Sequence, residues 1–352
     1  MCKKRVKPAA RGFDKQPMRS HNVRRTFMKS LQVTAPGEFQ ILDVPMPRPH
    51  AGEVLLRIEA VTTCPQWDLH LRHNEPMFVG HQFKYPYAPG QPGHEATGFV
   101  EAVGAGVTTV NPGDRVSAWR DQGHHLAGCY AQFAILQVDN VIRVPEALPL
   151  HATAPVELAM CVGATFLMLK SMDAIRGRRF GVMGLGPAGL IAAQMAQAEG
   201  AADVFGFDLS EARRVFAAQL GVTSSYDPRD DLAERFPLRP AKTRLDCAID
   251  CVGARSAIEF LMDHTDDVVA LFGVQREPVA FTPAHANRLR LCGYSGHSRA
   301  AAEYAVDLIS RGRLDLGPLT TAQLPLERYN DGIDLLERQA AIKICFRPWL
   351  DG

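Results

Sequence analysis

Between Lys29 and about Val144, apolar residues come in short runs broken by Gly and Pro. The runs "EVLLRIEAV", "TGFVEAVGAGV", "DRVSAW" and "YAQFAILQV" have the length of strands and are bounded by turn residues. Short strands at this spacing predict an irregular β barrel or sandwich. The texture changes at His151. "HATAPVELAMCVGATFLMLKSM" is long, apolar and poor in Gly and Pro, which predicts a largely buried helix. From Arg178 the pattern alternates. "RFGVMGLG" reads as a strand running into a glycine turn, and "PAGLIAAQMAQAEG" as a helix with Pro at its start and Gly at its end. "DVFGFDLS", "LDCAIDCVG" and "VVALFGV" read as further buried strands, and β–α–β alternation predicts a doubly wound parallel sheet. Beyond it, "AAEYAVDLISRG" and "LERYNDGIDLLERQAAIKICFRP" predict amphipathic helices and a last strand. The fold class expected is α/β: a β-rich domain joined to a doubly wound parallel-sheet domain.

Length supports the division, since 352 residues with 46% hydrophobic and 22% charged content fill two ordinary cores. Charge is spread unevenly. Residues 1–27 carry nine of the 39 basic residues and one of the 38 acidic ones. They have little to bury and read as a disordered basic tail. The remainder is mildly acidic, which argues against a nucleic-acid partner. "RRTFMK" at Arg24–Lys29 looks like a twin-arginine export signal, but no apolar stretch follows it. The eight Cys are scattered with no CxxC pair, which reads as a reducing, cytoplasmic compartment. No run of about eighteen apolar residues interrupts the chain, so no membrane span is expected.

"GLGPAG" places Gly184, Gly186 and Gly189 in a GxGxxG spacing, with Pro187 and Ala188 opening the helix. The first Gly allows the tight turn, the second lets backbone approach a pyrophosphate, and the third lets helix and strand pack closely. The helix N-terminus offers free N–H groups to the phosphates. Asp208 follows at a strand end about twenty residues on, where a carboxylate accepts from ribose hydroxyls and repels a 2′-phosphate. NAD is therefore favoured over NADP, with Arg213 of the next helix beside the adenosine ribose.

A second constellation is metal-like. Cys64 in "VTTCPQWDLH" precedes His94 and Glu95 of "PGHEATG" by about thirty residues. "APVELAMCVGATF" adds Cys161 and, one helical turn before it, Glu157; positions i and i+4 face the same way. A catalytic zinc takes three protein ligands and keeps one open position. Cys64, His94 and Cys161 form the favoured set, with Glu157 the alternative third ligand and Glu95 behind the ligands or exchanging with them. Cys129, Cys247, Cys251, Cys292 and Cys345 read as small buried hydrophobes, and His73, His81, His124 and His125 as loop residues.

Together these motifs resemble the medium-chain dehydrogenase/reductase family, in its zinc-dependent alcohol dehydrogenase-like branch. The resemblance runs from about Met28 to Pro348. It rests on "MKSLQVTAPGEFQILDVPMPRPHAGEVLLRIEAV", "GHEATG", "NPGDRV", "GLGPAG" with Asp208, and "AIKICFRP". It implies a GroES-like catalytic domain in two segments, 28–170 and 299–352, around a Rossmann domain at 171–298, with the active site in the cleft between them. It carries ligand roles onto Cys64, His94 and Cys161, and a homodimer or homotetramer is usual in the family. Two departures stand out. The family's Cys-x-Ser/Thr-Asp-x-His becomes Cys-Pro-Gln-Trp-Asp-Leu-His, one residue longer, with Asp68 and His70 matching its tail. The hydroxyl that passes the substrate proton is absent, leaving His70, water, Thr62 or Thr63 as relays. The four-cysteine lobe is also missing, so one catalytic zinc and no structural zinc are expected. The implied activity is NAD-linked, zinc-dependent interconversion of a small-molecule alcohol and an aldehyde or ketone. The competing readings are a zinc-free NADPH reductase of the quinone or enoyl type and a non-enzymatic nucleotide-binding sensor.

Overall fold

A computed structural model describes residues 26–78, 80–222, 224–239, 241 and 245–351. Most of the basic tail expected over 1–27 lies outside the described residues, and Phe27 already opens the first strand. That strand, β1 (Phe27–Ala35), pairs antiparallel with β2 (Glu38–Pro45). Pro36-Gly37 makes the turn between them, Gly37 at φ 74°, a conformation that glycine adopts without strain.

The β-rich unit is built on β3 (Glu53–Thr62), buried along most of its length. After it come helix α1 (Pro65–His73) and strands β4 (Glu95–Val103), β5 (Arg115–Ala118), β6 (Phe133–Gln137) and β7 (Val141–Arg143). Strand β3 pairs antiparallel with β4 on one side and with β6 on the other, with bulges in the β3–β4 register. Helix α2 (Val156–Ser171) follows and is buried on nearly every face. The stretch Leu150–Ser171 has the length and hydropathy of a membrane span, but most of it is enclosed by the protein as a core helix.

The nucleotide-type unit then runs β8 (Arg179–Met183), α3 (Pro187–Ala198), β9 (Asp203–Phe207), α4 (Glu211–Gln219), β10 (Ser224–Tyr226) and β11 (Leu245–Asp250). It continues through α5 (Arg255–His264), β12 (Thr265–Leu271) and β13 (Arg290–Gly293). All six strands are parallel, in the order β10-β9-β8-β11-β12-β13. The order reverses between β8 and β11, and a crevice opens there beyond the strand ends.

The chain next forms α6 (Arg299–Ser310) and β14 (Thr320–Leu324), then α7 (Tyr329–Glu337) and β15 (Lys343–Phe346). Strand β15 inserts beside β3, Cys345 opposite Thr62 and Phe346 opposite Val61, so the chain's last strand completes its first large sheet. Helices α2 and α6 pack on one another, and both lend apolar side chains to the core over the six-stranded sheet. The β-rich unit keeps a separate core around Leu56, Ile58, Val100, Tyr130 and Phe346. All seven described cysteines are free.

Candidate active site

Cys64 caps the N-terminus of α1 in extended backbone, with Pro65 in the first turn where a missing N–H costs nothing. Asp68 reaches back to it: Oδ2 accepts from Cys64 N at 2.9 Å, and Asp68 N donates to the Cys64 carbonyl at 2.9 Å. The same carboxylate accepts from Tyr130 at 2.9 Å and Tyr329 at 2.8 Å and is fully buried. Burial pushes it up to about 6, and the two tyrosine hydroxyls work against that rise. Asp68 thus fixes the turn carrying Cys64.

His94 stands just before β4 and is 7% exposed. Its Nδ1–H donates to the Pro92 carbonyl at 2.7 Å, which fixes the tautomer and leaves the Nε2 lone pair facing inward. Glu95 is the next residue. Its Oε2 accepts from Thr62 at 3.0 Å and its Oε1 from Lys343 Nζ at 2.7 Å, all three side chains buried. Cys64, His94 and Glu95 form one group of mutually close donor atoms, within 4.8 Å of one another.

The second wall is α2. Glu157 and Cys161 lie one turn apart, and the Cys161 thiol donates to Glu157 Oε1 at 3.3 Å. His297, between β13 and α6, places Nε2 at 3.2 Å from the same oxygen, and these three form a second donor group. Glu157 Oε2 lies 3.8 Å from His94 Nε2 and joins the two groups. Burial opposes a charged His94, yet the neighbouring Cys64 sulfur and Glu157 carboxylate raise its affinity for a proton well above the ordinary value. Burial likewise opposes a charged Glu157, but His297 and His94 hold it below the usual range. Unbalanced negative potential of this kind suits a divalent cation, and the thiol, imidazole and carboxylate donors are those that zinc takes. Cys161 falls in the second group with Glu157 and His297, apart from Cys64 and His94. Burial and then the Glu157 charge push its thiol well up.

His70 lies elsewhere. Its Nδ1–H donates to the Glu75 carbonyl at 3.1 Å, and Nε2 accepts from Arg276 at 2.7 Å, in the segment after β12. Burial and the guanidinium both lower its pKa, so the ring is neutral and engaged at both nitrogens. Thr62 is bonded to Glu95, and Thr63 to the Ile344 backbone, so both hydroxyls are in use. The extra residue of the Cys64 loop puts Trp67 in an aromatic wall. Its ring lies 3.8 Å from that of His124 and stands edge-on to His81 and Phe83. Two histidines read as loop residues therefore line this wall, and His73 closes α1 against Glu337 at 2.9 Å. No local signal marked His297, whose partner is 140 residues away.

At the crevice, Gly184 follows β8 at φ 86° and Gly186 caps α3. A Cβ on Gly189 would sit 1.7 Å from the Gly184 carbonyl oxygen, so no side chain fits between helix and turn. Pro187 and Ala188 form the first turn of α3. Asp208, just past β9, accepts from Leu185 N and Ser210 N, each at 2.8 Å, which aims the carboxylate along the turn. Arg213 NH1 stands 3.8 Å from Asp208 Oδ2, beside Gly186.

Two family models match this architecture: the alcohol dehydrogenase GroES-like domain over residues 50–146 and the zinc-binding dehydrogenase domain over 187–311. The chain is 27% identical over 338 residues to L-threonine 3-dehydrogenase of Bacillus subtilis, covering 88% of this chain and 94% of that protein. It is 27% identical over 324 residues to an alcohol dehydrogenase of Geobacillus stearothermophilus, covering 84% and 91%. Among solved structures, a short chain alcohol dehydrogenase from Escherichia coli CFT073 complexed with NADH superposes with a TM-score of 0.79 at 20% identity. That match covers 92% of this chain and all of the other.

Proposed function

The chain belongs to the zinc-type medium-chain dehydrogenase family, and from that premise we propose that Cys64, His94 and Glu157 hold its catalytic zinc. It is an alcohol-type oxidoreductase that works with a nicotinamide cofactor. The observation that carries the ligand reading is Glu157 Oε2 at 3.8 Å from the inward-facing Nε2 of His94. Cys161, which the sequence favoured for the third position, stands one helical turn away with its thiol 3.3 Å from Glu157 Oε1.

When bound, the zinc supplies Lewis acidity toward an alcohol or carbonyl oxygen, and the nicotinamide supplies the hydride acceptor or donor. The protein's own residues set the geometry. Pro92 orients the His94 ring, Asp68 fixes the Cys64 turn, and Lys343 with Thr62 holds Glu95 behind the ligands. Trp67, Phe83 and His124 form an aromatic wall that, on the substrate side, favours alcohols with a hydrophobic flank. With no side-chain hydroxyl in the Cys64 loop and His70 held by Arg276, the substrate proton leaves through water.

We further propose NAD as the preferred cofactor. Each Asp208 oxygen already accepts one backbone N–H and keeps a free lone pair for a ribose hydroxyl, while its charge opposes a 2′-phosphate. The catalytic unit in this reading comprises 28–170 and 299–352, and the nucleotide unit 171–298.

Zinc content per chain, measured beside NAD reduction across primary and secondary alcohols, tests the reading. About one tightly held zinc, lost in Cys64→Ser and Glu157→Gln together with turnover, supports it. Turnover with NADPH and quinones in zinc-free protein would instead select the metal-free reductase.

A further inference from the structure

Past the end of β9, Asp208 runs alongside the end of β10. Its N–H donates to the Tyr226 carbonyl at 3.1 Å, and Asp227 is the residue after Tyr226. Three arginines surround the two carboxylates. Arg213 Nη1 stands 3.8 Å from Asp208 Oδ2. Arg214 Nη1 donates to the Asp208 carbonyl at 2.6 Å and stands 3.6 Å from Asp227 Oδ2. Arg229 grips Asp227 with two bonds, Nε to Oδ1 at 2.9 Å and Nη2 to Oδ2 at 2.6 Å. From this arrangement we infer that Asp227 is a second determinant of cofactor choice: it keeps Arg229 and Arg214 from the 2′-phosphate of NADP.

The inference rests on Asp208 facing the adenosine ribose, as proposed above. Three guanidinium groups against two carboxylates leave the cluster one positive charge in excess, which by composition invites a phosphate. A guanidinium offers a planar fork of N–H donors that fits two oxygens of a phosphate or of a carboxylate equally well. Asp227 occupies that fork on Arg229. It is itself aimed by its own turn, since Oδ1 also accepts from the Arg229 backbone N–H at 3.0 Å. The bonds from Arg229 hold the Asp227 carboxyl below the usual carboxylate range, so it stays charged at neutral pH.

The two arginines differ in freedom. Arg214 is anchored to the strand end through the Asp208 carbonyl, with 20% of its side chain exposed. Arg229 is 71% exposed, so once its partner is neutral it can turn to a phosphate in solvent. An ion pair with one partner this exposed adds little to stability, and its loss changes recognition more than folding. Asp208 discriminates by its own charge. Asp227 is a positioning residue that acts through Arg229 and Arg214.

NADH and NADPH affinities, read by fluorescence quenching on the full-length protein, test this without a known alcohol. The variants are Asp208→Ser, Asp227→Asn, the two combined, and the combination with Arg229→Ala and Arg214→Ala added. Far-UV circular dichroism checks that each is folded, with Asp227→Ser replacing Asp227→Asn if the latter is not. Asp208→Ser should shift the affinity ratio toward NADPH. Adding Asp227→Asn should shift it about tenfold further, and the two alanines should take most of that second gain back. An Asp227→Asn change that leaves the ratio where it was, in wild type and in Asp208→Ser alike, overturns the inference while the Asp208 reading stands. A gain that survives removal of both arginines also overturns it. A ratio that Asp208→Ser does not move removes the Asp208 reading and this inference with it.

Discussion

The glycine turn at 184–189 and the donor pocket around His94 use the chain in opposite ways. The turn works through backbone. In the proposed reading the N–H groups at the start of α3 bind the cofactor, and side chains matter mostly by being absent, as at Gly189. Six consecutive residues supply nearly all of it. The pocket works through side chains brought from four distant segments: the end of β3, the start of β4, α2 and the segment before α6. A site made of backbone fails when something is added, and a site made of side chains fails when something is removed. The difference also separates their stabilities: the turn depends on one local packing contact, the pocket on the agreement of two sheets.

Paired substitutions test that separation most strongly. His94→Ala should cut kcat/KM by at least about 10³-fold and empty the zinc site, while NADH affinity, read by fluorescence quenching, stays within about threefold. Gly189→Val should do the reverse. A Cβ there collides with the Gly184 carbonyl, so NADH affinity should fall by about 100-fold or more with zinc content unchanged. If either substitution abolished both properties, the two sites would be one cooperative unit.

Lys343→Met comes next. It leaves Glu95 buried and unpaired at the junction of β15, β3 and β4, and should cost about 3–5 kcal/mol by urea unfolding. The double variant with Glu95→Gln should recover part of that loss. A cost below about 1 kcal/mol would mean that water reaches the pair.

The smallest effect concerns Asp250, at the end of β11 beside the crevice. Burial raises its pKa to about 6, against backbone hydrogen bonds from Val252 and Gly253. The folded protein therefore holds this proton more tightly than the unfolded chain. The stabilisation is complete below the unfolded value and is lost as pH rises through about 6. Between pH 4 and 7 the change is on the order of 2 kcal/mol, and Asp250→Asn should flatten that part of the pH–stability curve.

Much of this was legible in the chain. Strand–glycine turn–helix spacing located the crevice, because every part of that motif is local and the acidic residue follows at the length of one helix and one strand. Cys64 and His94 were legible as types, since a thiol and an imidazole at strand ends have few other reasons to converge. The choice between the two candidate third donors was not. Glu157 and Cys161 share a helix face, and periodicity cannot say how far that face stands from His94. His297 was invisible for a related reason: nothing in "GYSGHSRA" marks it until β13 ends beside α2. Asp68 illustrates the converse. It matched a motif tail that suggested chemistry, but Tyr130 and Tyr329 come from parts of the chain 62 and 261 residues away and turn it into a clamp.

Strand β15 sets an order of assembly. Lys343 is synthesised 280 residues after Thr63, yet β15 sits beside β3 and supplies the counter-charge for Glu95. The six parallel strands are synthesised before β15 and can close around a nucleotide while β15 is still unmade. The donor pocket has no such head start: until β15 is made, Glu95 has no ammonium beside it and β3 lacks a neighbour. Synthesis therefore supplies every strand of the cofactor crevice before the last support of the donor pocket.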